Sequence, residues 1–450
     1  MDGYYAWMIV ATALVLMMTT PALALFYGGM TRGKSVLNMM MMSYVALAVV
    51  GIVFVLWGWS EGGWHNSGFG NGKLIANPFT QFGLHGETWD WYISMAFQLT
   101  FAAITAALIS GAIADRVKMS SWIVFLPIWV TLCYFPVAHN VWAGGWLAQH
   151  FPALDYAGGT VVHINAGVAG LVLAIIIGPR VGFKKDPMKP HNLTLTMIGA
   201  GLLWFGWYGF NVGSIVFTAG DGGKKDIAQF MSETGVTFVN TTLATMAAML
   251  GWLVMERILH GKATTLGAAS GIVAGLVAIT PSCGSVNTVG AIAVGAVAGL
   301  ACAWAVGLKY RFGLDDSLDV VGVHLVGGIL GTLMIGLVGT DKSPQGVDGF
   351  FPKGTNGLFY GGNFALLGHQ AAAVLFTVVW TGALTTVIGL AIKYTIGWRI
   401  DRDAEVEGID SDQHGESAYD FGGHGGGVLG GAGSHSAATA SSAAKEGALA

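Results

Sequence analysis

Two histidines stand out in this sequence because each lies inside a long apolar stretch. His163 and His324 both begin the pattern H-x-x-x-G-x-x-G, over residues 163–170 and 324–331. An ionisable side chain inside a membrane is costly and usually functional, and imidazole can sit there uncharged, with one hydrogen-bond donor and one acceptor. The pattern predicts that the two rings line one passage and hand a small polar molecule along it. The alternative is a pair of unrelated core histidines with satisfied hydrogen bonds.

Aromatic residues gather at the predicted outer ends of several apolar stretches. The set comprises Phe97, Phe101, Trp142, Trp204, Trp207 and Phe210. These residues fit an aromatic belt at the lipid interface. They also fit a cup that binds a cation over ring faces, a contact worth about 2 kcal/mol when it is desolvated. Their positions alone do not choose between the two interpretations.

One carboxylate, Asp155, stands just before the stretch that carries His163. It could bind a cation directly, or it could cap the following helix by accepting backbone N–H groups. We favour the structural role, because a carboxylate that held a cation tightly would slow its release.

The elements that position these residues are membrane-spanning helices. Hydrophobic residues make up 54% of the 450 residues and charged residues only 10%, whereas soluble domains carry about 25% charged residues. A span needs about 20 mostly apolar residues. The turn sequence at 280–284 divides one long apolar run in two. The sequence therefore predicts eleven spans, at residues 5–26, 35–59, 91–114, 119–144, 159–178, 193–217, 234–255, 263–280, 286–308, 320–340 and 364–392.

The basic residues predict how these helices are oriented. With the N-terminus outside, sixteen of the 21 lysines and arginines fall on inner segments, as the positive-inside rule requires. The first span has no cleavage site before polar sequence and is expected to be retained. Because the two histidine motifs lie in spans five and ten, the chain divides into two five-helix halves of opposite orientation. The predicted fold is an all-α integral membrane protein with helices 1–5 and 6–10 as inverted repeats, a peripheral eleventh helix, and an N-out/C-in topology.

Composition also argues against several classes of function. A net charge of −4 without basic runs argues against nucleic-acid binding. Cys133, Cys283 and Cys302 have no CxxC spacing, so neither a disulfide framework nor a metal site is predicted. From about residue 411 the chain turns to Gly, Ser, Ala and His, a composition typical of a disordered tail. No cofactor and no enzymatic activity are predicted.

Several longer motifs resemble those of the ammonium transporter family (Amt/Mep, related to the Rh proteins). The resemblance runs from the first helix to about Phe421. It is strongest in Asp-Tyr-Ala-Gly-Gly-Thr-Val-Val-His-Ile-Asn-Ala-Gly at 155–167. The other matching motifs are Pro-Ala-Leu-Ala-Leu-Phe-Tyr-Gly-Gly at 21–29 with Arg32-Gly-Lys34, Phe-Gln-Leu-Thr-Phe at 97–101, Trp-Tyr-Gly-Phe-Asn-Val-Gly-Ser at 207–214 and Asp-Val-Val-Gly-Val-His at 319–324.

The resemblance implies a role for each matching residue. Trp142, Phe101 and Ser214 would form an outer vestibule that recruits the cation, with Trp207 adjacent to it. Phe101 and Phe210 would be a stacked gate beneath the vestibule. His163 and His324 would be the paired pore histidines, and Asp155 the buried carboxylate that orders the vestibule. Ammonium would be deprotonated near the gate and ammonia conducted past the histidines, for nitrogen uptake.

The resemblance also implies an assembly and a location. The protein would be a homotrimer in the plasma membrane, with one pore per subunit and ammonium, ammonia or methylammonium as substrate. Residues 1–396 would form the transporter domain, residues 397–421 a cytoplasmic regulatory segment that contacts PII-type signalling proteins, and residues 422–450 a disordered tail.

Three other functions are weighed against transport of ammonium. A membrane haem or redox enzyme could use His163 and His324 as axial ligands, although no CxxCH or flavin motif supports it. A sensor could bind ammonium and signal through its tail while transporting little. A Rh-like pore for carbon dioxide is disfavoured, because the vestibule of Trp142 and Ser214 suits a cation.

Overall fold

Long helices make up most of the chain in the computed structural model, which describes residues 2–65, 72–218, 224–352 and 355–419. Ten of the helices in these ranges are long and apolar enough to cross a membrane, and an eleventh apolar helix, Thr265–Ile279, is shorter, at 15 residues. Each of the eleven predicted spans coincides with one helix, and the described residues hold no β-strand beyond two isolated bridges. The helices are α1 Gly3–Met30, α2 Val36–Gly62, α3 Trp89–Ile113, α4 Met119–His150, α5 Gly159–Ile177, α6 Leu193–Val212, α7 Lys224–His260, α8 Thr265–Ile279, α9 Thr288–Phe312, α10 Val321–Val338 and α11 Phe364–Thr395.

Helices α5 and α10 cross in opposite directions, and the glycines of the two histidine motifs lie at the crossing. A Cβ atom on Gly167 would come within 2.6 Å of the Leu325 backbone, and one on Gly328 would lie 3.0–3.1 Å from Ile164 and His163. Contacts that advance along α5 therefore recede along α10. Small residues allow membrane helices to approach this closely. The repeated motif thus has a physical cause, because each glycine makes room for the other helix at the level of the histidines.

Both histidines lie in wide π-helical turns at the starts of these helices. Residues Gly159–Ile164 form one such turn and Val321–Leu325 the other. Isolated π turns inside helices are frequently found at functional sites. Helix α1 is also interrupted, at Thr20 beside Pro21, since proline cannot continue the hydrogen-bond ladder.

Residues 397–418 dock against one end of the helix bundle, called here the C-terminal face. Trp398 is buried and its Nε1 donates to the carbonyl of Gly389 at 2.8 Å. Two short helices follow, α12 Arg402–Glu407 and α13 Ile409–His414. The carboxylate of Asp410 accepts hydrogen bonds from the backbone N–H groups of Leu37 and Asn38, at 3.0 and 2.8 Å, and thereby caps α2. Composition predicted a disordered tail from about residue 411, but residues 411–414 belong to α13, and His414 contacts the side chain of Asn38 at 3.0 Å. The predicted tail at 422–450, and the last two residues of the predicted segment 397–421, lie outside the described residues.

Buried ion pairs join the loops at the C-terminal face. Asp115 contacts Arg180 at 2.8 Å and Arg32 at 3.3 Å, and Arg180 also binds Asp315 through two nitrogens. Burial alone would raise the pKa of Asp115, but the guanidinium groups of Arg180 and Arg32 outweigh it and hold this pKa below its ordinary value. Paired charges of this kind tolerate burial because each is neutralised by its partner.

Candidate functional site: a file of aromatic and imidazole rings

A stacked pair of phenylalanines closes the bundle from the face opposite the C-terminal segment. The rings of Phe101 on α3 and Phe210 on α6 are parallel within 13°, with their centroids 4.0 Å apart. Both side chains are almost completely buried, at 1% and 0% exposure. Two apolar rings in contact leave no hydrogen-bonding group between them, so they form a dry barrier.

Trp142 and Ser214 lie on the outer side of this barrier and are partly exposed. The Trp142 ring stands at 77° to that of Phe101, with 6.0 Å between centroids. Its Nε1 donates to the carbonyl of Asp155 at 2.8 Å, which fixes the indole. Ser214 lies one turn beyond Phe210 and donates to the Phe210 carbonyl at 2.8 Å. The groups exposed on this side of the barrier are therefore the Trp142 ring and the serine oxygen, with the buried Phe101 ring next to them; an aromatic face and a hydroxyl oxygen are groups that can contact a cation.

Beneath the phenylalanine pair lies a narrow chamber, called here the central chamber. Its walls are mostly aliphatic, and the polar groups that line it are His163, His324 and the Trp207 indole. Trp207 lies beside His163, at 5.5 Å between ring centroids, and its Nε1 donates to Thr280 at 2.8 Å. The resemblance placed Trp207 next to the outer vestibule; the structure places it among the residues that line the chamber below Phe210.

The two histidines meet at the floor of the central chamber. Their Nδ1 atoms are 3.3 Å apart, both rings are buried, and Nε2 of His163 has no hydrogen-bond partner among the described residues. If one Nδ1 donates its proton and the other accepts it, one Nε2 must be an acceptor and the other a donor. Two uncharged imidazoles in this arrangement present complementary groups to a molecule that can both donate and accept.

The carboxylate of Asp155 accepts hydrogen bonds from the backbone that leads into α5. Its oxygens accept from the N–H groups of Gly158, Gly159 and Thr160 at 2.6–2.8 Å, and from the Thr160 hydroxyl. Burial raises the pKa of Asp155, and the hydrogen bonds from Thr160 and the two glycines act in the opposite direction. Each oxygen is already occupied by at least two donors, so the geometry favours the capping role over direct cation binding.

A second capping carboxylate, Asp316, was missed at the sequence level. It is buried and accepts from the N–H groups of Val320 and Val321 at 3.0 and 2.7 Å, at the start of α10. Asp316 precedes His324 by eight residues, as Asp155 precedes His163. That shared spacing was the signal that could have identified it.

The pair geometry bears on the haem alternative. Two nitrogens on opposite sides of a metal stand about 4 Å apart, given bonds near 2 Å, whereas the facing Nδ1 atoms of His163 and His324 are 3.3 Å apart. Within the described ranges, no group of three or more His, Cys, Asp or Glu side chains is arranged to hold a metal ion. The arrangement does not fit a haem or metal held between these two rings.

Comparison with known proteins places this geometry in a family. Residues 6–419 match the model of the Ammonium Transporter Family. An ammonium transporter of Mycobacterium tuberculosis is 51% identical, over 95% of this chain and 92% of its own length. The crystal structure of Saccharomyces cerevisiae Mep2 superposes with a TM-score of 0.78 at 32% identity, covering 89% of this chain and 88% of that one. A solved structure described as a sensor Amt protein has the same TM-score at 26% identity, over 91% and 98% of the two chains. The chain is a multi-pass membrane protein that belongs to the ammonium transporter family.

Proposed function

We propose that this protein takes up ammonium from outside the cell and conducts it across the membrane as ammonia. The observation that carries the proposal is the file of rings from Trp142 through Phe101 and Phe210 to His163 and His324. It joins a site suited to a cation with a passage suited only to an uncharged molecule. Family membership and the names of the relatives support the same substrate.

Energetics require the proton to leave before the phenylalanine barrier. Moving a bare cation into an apolar tube costs tens of kcal/mol by a Born estimate, and cation–π contacts contribute only about 2 kcal/mol. Ammonium at the vestibule of Trp142, Phe101 and Ser214 therefore transfers its proton to solvent water on that side, and neutral ammonia passes the Phe101–Phe210 pair. Sodium and potassium have no proton to lose, so the same barrier excludes them.

Ammonia then passes the two imidazoles by hydrogen bonding. It has a lone pair and N–H groups, so it can satisfy the acceptor and the donor that the His163–His324 pair presents. These contacts replace the hydrogen bonds to water that ammonia loses, so the free-energy cost of removing ammonia from water is partly offset.

The decisive experiment is uptake of ammonium into proteoliposomes by the parent protein, His163→Ala and His324→Ala. Each substitution removes one ring of the pair, and we expect selective conduction to be lost or severely altered. His369→Ala is the matched control, since His369 lies on α11 and does not line the central chamber. Normal selective uptake by both pore variants would refute the role of the imidazoles. Absence of uptake by the parent would refute the transport function itself.

A current measurement on the same proteoliposomes tests whether the released proton follows the ammonia. If the proton returns to the outside, uptake proceeds with no ammonium-evoked current. A current that scales with uptake would show net charge transfer.

We propose the following topology and assembly. All eleven helices span the plasma membrane, α8 included, with the N-terminus outside and the C-terminal face in the cytoplasm. The distribution of lysine and arginine supports this orientation. Three copies assemble, each with its own pore, and residues 397–421 contact a PII-type signalling protein. Native mass spectrometry of the detergent-solubilised protein would measure the copy number, and binding of a purified PII protein to proteoliposomes would measure the partner contact.

Sensing is a second candidate function, favoured by the likeness to the sensor Amt protein. The docked residues 397–418 would then carry the signal from the bundle. This function is supported if methylammonium uptake is absent while ammonium still changes partner binding. It is refuted if uptake is normal and partner binding is independent of ammonium.

A further inference from the structure

A second chamber lies between His324 and the C-terminal face, and it is called here the inner chamber. It shares Phe26, Val273 and His324 with the central chamber, so these three residues form the neck between the two. The other described residues that line it are mostly apolar, and Asp319 supplies their only carboxylate. Any ion that reaches His324 from this side passes a negatively charged group.

Lys309 neutralises that carboxylate. Its Nζ lies 2.5 Å from Oδ1 of Asp319 and also donates to the Asp316 carbonyl at 3.0 Å. The side chains of Lys309 and Asp319 are only 12% and 21% exposed. The pair is therefore screened less by solvent and salt than a pair on the surface.

The backbone at Asp319 is fixed in an uncommon conformation. Its φ is +63°, in the left-handed region that most side chains avoid and that aspartate tolerates better than most. Asp319 lies immediately before α10, and this conformation directs its side chain towards Lys309, which lies in the last turn of α9. The carboxylate is thus held between the chamber and the lysine.

The charge of this pair matters for a pore that must release its product. Without its partner, a carboxylate at the mouth would attract monovalent cations of the size of ammonium. The ammonium group of Lys309, which is part of the chain itself, already occupies that position beside the carboxylate. We propose that Lys309 acts as a built-in counter-ion for Asp319, and that it keeps such cations from binding in the inner chamber and obstructing the pore at His324.

The inference rests on the proposed function, because it assumes that the two chambers form the conducting path. The alternative is that the Lys309–Asp319 pair only ties α9 to α10. A charge cycle separates the two. Lys309→Gln leaves the carboxylate without its counter-ion, whereas the double variant Lys309→Gln/Asp319→Asn removes both charges and also breaks the tie.

The experiment compares ammonium uptake by the parent, the single variant and the double variant in proteoliposomes. Caesium chloride is present on both sides in one set, and the chloride of the bulky cation N-methyl-D-glucamine in the other. We expect caesium to slow Lys309→Gln about fivefold more than it slows the parent, the factor that a single ion pair contributes to an equilibrium. The double variant should show the caesium sensitivity of the parent.

Thermal unfolding of the purified proteins gives a second readout that does not depend on transport. Caesium should raise the unfolding temperature of Lys309→Gln more than that of the double variant, because a bound ligand stabilises the folded state. If Lys309→Gln gains no caesium sensitivity in either measurement, or if the double variant shares it, the inference is wrong. If the parent protein itself shows no ammonium uptake, the proposed function is refuted instead.

Discussion

Replacing Asp155 by asparagine tests whether this carboxylate caps α5 or binds the cation. Oδ1 accepts from Gly158 and Gly159, and Oδ2 accepts from the N–H and hydroxyl groups of Thr160. Asparagine offers one oxygen and one NH₂ group, so in either orientation a donor faces two donors. Each buried donor left without a partner costs about 1–3 kcal/mol. Asp155→Asn should therefore lower the free energy of unfolding by about 2–6 kcal/mol.

The assay pairs thermal unfolding in detergent with the concentration dependence of ammonium uptake. The capping role predicts a clear fall in unfolding temperature and a loss of maximal uptake, because the turn that carries His163 and the Trp142 contact to Asp155 both loosen. Direct cation binding predicts the converse. An Asp155→Asn protein with unchanged unfolding temperature, unchanged maximal rate and a raised half-saturation concentration would refute the capping argument.

Three further substitutions test the framework around the rings. Gly328→Ala should reduce uptake and destabilise the protein by about 1–3 kcal/mol through overpacking, because the new Cβ lies 3.0–3.1 Å from Ile164 and His163. The control Gly368→Ala meets no atom within 4 Å; it should leave uptake unchanged and should not destabilise the protein, since alanine is the better helix former. Asp115→Asn should cost about 3–5 kcal/mol at neutral pH, measured by thermal unfolding, because it breaks a buried pair. The folded state depresses the pKa of Asp115. Its contribution to stability is therefore present above the unfolded pKa, near 3.9, and is lost as the pH falls through the folded pKa. A pH series in which the free energies of unfolding of parent and variant differ equally at every pH would contradict this account. Asp410→Ala removes the cap of α2, worth about 0.5–2 kcal/mol, and should increase limited proteolysis within residues 397–418. The loop at 261–264, whose Thr264 bonds to Glu256 rather than to the C-terminal segment, should be cleaved as in the parent.

The sequence predicted the helices well and the contacts between them only in part. Apolar length located every one of these helices because lipid imposes a strong and local requirement on sequence. The repeated motif of His163 and His324 predicted that the two rings would share a passage, and the structure brings them together. The position of Trp207 beside His163 depends on how α6 packs, which a single span does not encode. The roles of these residues in conduction stay predictions until the variants are measured.

Other contacts could not be inferred from local patterns because they join distant parts of the chain. In the sequence Lys309 has the position of an ordinary basic residue at the end of a span. Its ion pair with Asp319 depends on the backbone conformation at Asp319, which the sequence alone does not show. The caps that Asp410 places on α2 join residues more than 370 positions apart. The capping role of Asp316 could have been predicted, since Asp316 precedes His324 by the same number of residues as Asp155 precedes His163.

The two halves of the fold repeat one arrangement around their histidines, and they differ in the charged groups near each end. Each half ends a loop with a buried aspartate, caps a π-helical turn with it, and presents a histidine eight residues later. Because α5 and α10 cross in opposite directions, the two histidines meet while their capping aspartates face opposite ends. An exact repeat would give two equivalent mouths. Here one mouth has the ring of Trp142 and a carboxylate, that of Asp155, which is hydrogen-bonded to the backbone, whereas the other has a carboxylate paired with Lys309. Under the proposed function the first mouth would bind ammonium and the second, whose carboxylate already has a cationic partner, would bind it less well. This difference concerns where the cation binds, because the concentration gradient sets the net direction of a passive flow.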